Sequence, residues 1–354
     1  MTLPSSRATF ALAALALAGV ALAADPAVKK KAPPAPARVA PLPPGEKVGW
    51  SHAPFEAGDC GICHQRSDPK SPGPLVKSGN ELCYTCHEEF AEIMARKSKH
   101  PPAEQNCTFC HNPHNSKERK LLVAEQTALC FGCHDDIRGI AEKSKVKHAA
   151  LTTGQRCANC HNPHGANVEH LLVQLPFDLC VNCHSKDGIS DGRGGYVTNF
   201  KKWLDENKVW HAPVEAKDCS ACHKVHGSDN FRLLVAEYPA KFYSPYDPAN
   251  YALCFGCHND KVVSEPTTTT LTGFRDGSRN LHYLHVNKSD RGRTCRACHE
   301  VHASKQDHHI RDGVPYGTKG WILKLNYTKT ATGGSCAKTC HETKTYSNRP
   351  AGKK

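Results

Sequence analysis

The chain has 354 residues, with 20 cysteines and 23 histidines but only 7% aromatic residues, and its mean hydropathy is -0.55. Such a length normally supports two or three domains around apolar cores, yet few stretches keep an apolar period of either 3.6 or 2, which excludes an interior filled by side chains alone. The formal charge of +12 would ordinarily point to nucleic acid or an anionic membrane as partner, a reading that fails once the cysteines are explained.

In chain order, residues 1–23 read as a secretory signal peptide, with Arg7, an apolar run from Phe10 to Ala23 and a small-residue site at Ala21-Leu22-Ala23. The run is shorter than the roughly 18 to 20 residues a membrane span needs, and no later segment qualifies, so no transmembrane segment is expected after cleavage. Residues 24–49, with Lys29-Lys30-Lys31 and Pro33-Pro34-Ala35-Pro36, predict an extended, poorly ordered tether. The remaining 50–354 read as one domain.

That domain carries ten cysteine pairs. Nine are C-x-x-C-H: Cys60-Cys63-His64, Cys83-Cys86-His87, Cys107-Cys110-His111, Cys130-Cys133-His134, Cys157-Cys160-His161, Cys180-Cys183-His184, Cys219-Cys222-His223, Cys254-Cys257-His258 and Cys295-Cys298-His299. The tenth, Cys336-Ala337-Lys338-Thr339-Cys340-His341, is longer by one residue. Two thiols at this spacing add across the two vinyl groups of one haem, and the histidine that follows is held beneath the iron as proximal ligand. A disulfide framework fits an even cysteine count but gives no reason for a histidine after every second cysteine. A zinc ribbon has no use for a fifth ligand at each pair, and thioredoxin-like pairs come singly in a strand and helix context that is missing. The motifs therefore predict ten covalent haem c groups.

An internal repeat organises them. His100, Cys107 to His114, Leu121-Leu122-Val123 and Cys130 align with His148, Cys157 to His164, Leu171-Leu172-Val173 and Cys180, and with His211, Cys219 to His226, Leu233-Leu234-Val235 and Cys254. With weaker copies at each end this divides the domain into five two-haem repeats, at about 52–99, 100–147, 148–210, 211–281 and 282–354. The two motifs lie 23 residues apart in the first three repeats, then 35 and 41. Insertions thus gather toward the C-terminus, and Thr267–Thr270 and Gly313–Tyr327 read as loops or a small hairpin. On these residues the chain resembles the doubled C-x-x-C-H cytochromes, whose mark is C-x-x-C-H-x-x-H followed by a second C-x-x-C-H, over roughly 50–345. The ending Gly333 to His341 looks like the last motif of multihaem cytochromes from metal-respiring bacteria. Haem count and size are similar to the periplasmic subunit of porin-cytochrome conduits. The resemblance implies a redox-protein donor and acceptor, with an outer-membrane porin-cytochrome complex among the candidate partners.

Ten proximal histidines leave thirteen others. His52, His100, His148, His211 and His285 precede the first motif of each repeat by 7 to 10 residues, and His114, His164, His226 and His302 lie three residues after a proximal histidine. Positions three apart share a helix face, so the second histidine of His-x-x-His has to reach a neighbouring haem, and the nine are candidate distal ligands. Repeat one has Gln65-Arg66-Ser67 where the others place a histidine. The tenth iron is thus left to His170, His282, His308, His309 or Met94, or stays five-coordinate.

Haem propionates reverse the charge argument. Two per haem add about -20, so the exported holoprotein would run from about +1 fully oxidised to about -9 fully reduced, and neither nucleic acid nor membrane binding follows from the basic count. Helical links at Phe90–Lys99, Asp136–Lys147 and Asn199–Trp210, with Glu88–Lys99 carrying Met94, predict a mainly α fold with much coil and little β, wrapped on a haem core. Saturated irons transfer electrons and leave no site for substrate. The expected role is therefore an electron carrier, not an enzyme, in the periplasm or on the outer-membrane surface or outside it. A multihaem reductase with one open iron and an extracellular filament subunit are the rivals, and the sequence leaves the oligomeric state open.

Overall fold

Each motif that opens a repeat closes a single tight turn. The amide of His64, His111, His161, His223 and His299 donates to the carbonyl of the first cysteine of its motif at 2.8–3.1 Å. The opening motifs form 3-10 turns, such as Cys60–Ile62 and Cys107–Phe109. The second motifs of the first four repeats grow out of α-helices at Asn80–Tyr84, Gln126–Phe131, Pro176–His184 and Ala252–Phe255. The longer tenth motif begins on a strand, Gly333–Cys336, and has no helix to set its register.

Successive repeats are laced by short antiparallel pairings. Trp50–Ser51 pairs with Asn115–Ser116, Ser98–Lys99 with Gly165–Ala166, Val146 with Ser228, and Val209–Trp210 with Ala303–Ser304. In each case the residues just before a leading histidine meet those just after the His-x-x-His of the next repeat. Each unit therefore satisfies its backbone against its successor, as in other repeat architectures.

The expectation of a mainly α fold with little β is overturned. The described residues contain thirteen strands in six small sheets, and their helices do not exceed nine residues. The three helical links stop early, at Met94, Lys143 and Glu206, because the residues that follow are taken into the inter-repeat pairings. At the C-terminal end Gly313–Tyr316 and Trp321–Lys324 form a hairpin. Tyr327–Thr330, Gly333–Cys336 and Lys344–Ser347 form a three-stranded sheet, rich in the Thr and Tyr that suit pleated surfaces.

The computed structural model describes residues 39–349 apart from 193 and 318–320, all within one unit that starts at Pro34. The signal peptide and residues 24–38 of the expected tether lie outside the described residues. Residues 39–49 are tied down: the Asn112 amide donates to Ala40 O at 3.0 Å, the Leu42 amide to Asn115 Oδ1 at 2.8 Å, and Lys117 pairs with Glu46. Buried apolar side chains are sparse. They include Leu234, Tyr238 and Tyr251, which pack with Phe231, Tyr246 and Phe255 against Cys254 and Cys295. No described helix is long and apolar enough to cross a membrane.

Candidate functional site

Histidines from distant parts of the chain face one another in pairs. His52 faces His87, His64 faces His114, His100 faces His134, His111 faces His164, His148 faces His184, His161 faces His226, His211 faces His258, His223 faces His302 and His282 faces His299. Across these nine pairs the ring centres lie 6.0–6.3 Å apart and the ring planes are within 8–20° of parallel. An iron bonded to both rings at about 2.0 Å, with each ring centre about 1.2 Å behind its nitrogen, sets the centres about 6.3 Å apart. The spacing therefore fits one haem iron between each pair. His341 lies within electrostatic range of His285, whose ring stacks on Phe274 at 5.7 Å.

Hydrogen bonds fix which nitrogen is free to ligate. In the opening motifs the ring that follows the cysteines is held: Nδ1 of His64, His111, His161, His223 and His299 donates to the carbonyls of Gly73, Lys120, His170, Arg232 and His308 at 2.7–3.1 Å. Four of these carbonyls are presented by non-glycine residues with φ of 53–57°, a left-handed conformation that costs energy and so marks a constrained site. At the second motifs of the first four repeats the facing ring is held instead. Nδ1 of His52, His100, His148 and His285 donates to the carbonyls of Pro113, Pro163, Val225 and Leu281 at 2.6–3.0 Å, and His211 is supported by that of Val301. Donation from Nδ1 leaves Nε2 as the lone pair, the tautomer a metal requires.

The five accepting carbonyls share one further property: the next residue is His114, His164, His226, His282 or His302. One peptide unit therefore ties each leading histidine to a histidine of another facing pair. Phenylalanine edges brace four of these five rings, with Phe55 on His114, Phe90 on His164, Phe200 on His302 and Phe274 on His282, at 4.8–5.1 Å. Burial, and then the nearby histidines, push His114, His164, His226 and His282 toward the neutral form that binds metal, His164 and His282 down to about 4.

The thiols order the sites along the chain. Cys83 touches Cys107, Cys130 touches Cys157, Cys180 touches Cys219 and Cys254 touches Cys295, joining the second motif of each repeat to the first of the next. Within repeats, Cys63 lies within electrostatic range of Cys83, Cys110 of Cys133, Cys160 of Cys183, Cys222 of Cys254, and Cys298 of Cys336. The motifs thus follow one another in space in their sequence order.

A family model described as the doubled CXXCH motif matches residues 52–92, 100–139, 148–188 and 211–263. The chain is a multihaem c-type cytochrome of the doubled CXXCH family. Each matched region opens on the leading histidine of a repeat, and repeat five lies outside them. A search of the curated proteins found no match.

In this cytochrome nine of the ten histidines that follow cysteine pairs, and every leading or trailing histidine except His285, enter the nine facing pairs. His285 and His341 stand outside them, and the ring facing His299 is His282, one of the five residues left open for the tenth iron. His282 and His285 stand on the short helix Leu281–Val286, three residues apart. A leading pair, His282 and His285, in place of a leading single histidine was the available signal. The other four have different places. His170 and His308 offer the carbonyls to His161 and His299, His309 packs edge-on against His211 at 5.4 Å, and Met94 closes the helix Glu88–Met94, whose end abuts Gly165.

Proposed function

We propose that this cytochrome is an exported electron relay that holds ten haems in single file, each iron bound by two histidines. Haem c supplies a one-electron iron centre. The cysteine pairs would hold each haem as thioethers, the histidine after each pair would bind one face, and the facing histidine would bind the other. His52, His64, His87, His100, His111, His114, His134, His148, His161 and His164 would serve the first haems, and the same pattern would run on to His285 and His341. The observation that carries this reading is the repeated 6.0–6.3 Å spacing of near-parallel imidazoles with Nδ1 tied back.

Full axial ligation leaves an iron fit to pass electrons and unfit to bind substrate, so the chain is read as a carrier without catalytic activity. Thiol contacts that run in sequence order support a path from the first haem to the tenth, between a quinol-linked donor and a terminal reductase, an outer-membrane conduit or an extracellular acceptor. The periplasm is the compartment we assign.

Stoichiometric reduction tests this. The holoprotein should take up ten electrons over a broad potential range, because each reduced haem repels charge on its neighbours. It should turn over neither nitrite nor hydroxylamine. A narrow single-potential curve, or turnover of either compound, would contradict the relay.

A further inference from the structure

The residue after the proximal histidine differs between repeats, and in the fifth it is an acid. In repeats two and three, Asn112 and Asn162 accept from the amides of His114 and His164 at 3.0 Å, capping their own loop. Glu300 behaves differently. Its residue is 9% exposed, its Oε1 lies 3.5 Å from Nδ1 of His302, and its Oε2 lies 2.7 Å from the Arg311 guanidinium. Arg311 is itself 9% exposed and donates from Nε to His299 O at 2.9 Å. The other carboxylate near an imidazole nitrogen of a described pair is Glu89, 3.8 Å from His87, but its side chain is 64% exposed and solvent screens it.

A carboxylate on the outer nitrogen of a metal-bound imidazole raises the basicity of that ligand and favours the more positive metal. Burial makes the effect large, since little water lies between the charges. We propose that Glu300 is a potential-setting residue that acts through His302, lowering the reduction potential of the iron held between His223 and His302, with Arg311 as its counterweight. This rests on the axial pairing proposed above. The seventh haem then becomes a low step in the relay, late in the chain and just before the insertions of repeats four and five.

The two charges predict opposite shifts, which a structural disturbance would not produce. Potentiometric titration of the holoprotein, followed by EPR, is compared for E300Q, R311Q and H302M, and the component altered in H302M marks the seventh iron. E300Q should shift that component upward by a factor of ten or more in its equilibrium constant, about 59 mV for one electron. R311Q should shift it downward, and E89Q should leave the second haem within threefold. No shift in E300Q and R311Q, or shifts of the same sign, would overturn the tuning role. If E300Q loses haem, R311Q alone decides by the sign of its shift, and loss of haem in both would make the pair a structural brace and overturn the proposal. If H302M leaves every component and every low-spin signal unchanged, the axial pairing itself fails, a distinct result.

Discussion

At the scale of single residues, one imidazole of each facing pair is held by its outer nitrogen. Spacing alone made the proximal histidines legible, because thioether chemistry fixes His64 or His223 directly after its second cysteine. The trailing histidines were legible for a geometric reason: His114 cannot reach round to the iron of His111, and it faces His64 instead. His282 was not, since a histidine three before His285 looks like a helix neighbour until the ring of His299 is placed opposite it at 6.3 Å. H282A should convert one low-spin iron to high-spin and leave the others unchanged, whereas M94A should change none. EPR of the two variants checks the assignment, and the reverse outcome would hand the ninth iron to Met94.

Elements here are short because ligands interrupt them every few residues. Helical links were legible before three leading histidines, His100, His148 and His211, and helices do start at Glu88, Asp135 and Phe200. Their ends were illegible, because Ser98–Lys99 and Val209–Trp210 are decided by pairing with segments 60 to 100 residues away, a tertiary override of local preference. The helix Leu281–Val286 depends on one residue. Asn280 is fully buried, caps the helix through Oδ1 to the His282 amide at 3.0 Å, and donates to Val262 O and Glu265 O at 3.0 and 2.8 Å. N280A should cost about 3 kcal/mol, read by denaturant unfolding, and should weaken the low-spin signals of the ninth and tenth haems together. Loss of stability with both signals intact would separate the cap from the ligands.

Over the whole molecule, the described chain has too few buried apolar side chains to offset the entropy of ordering it. Sparse aromatics and low mean hydropathy made this legible from composition. The positions of the insertions were legible too, but the sheets built there were not, since Gly333–Cys336 and Lys344–Ser347 acquire their register only from each other. Ten haems, on the proposed count, would supply the missing core, and their propionates would offset the basic charge.

The central claim is that every haem iron lies between two histidines. Low-temperature EPR of the fully oxidised protein, with the intact mass measured on the same sample, tests it most directly. The account predicts a mass with ten haems and only low-spin ferric signals. Fewer haems, or a high-spin signal equal to one iron per chain, would contradict it.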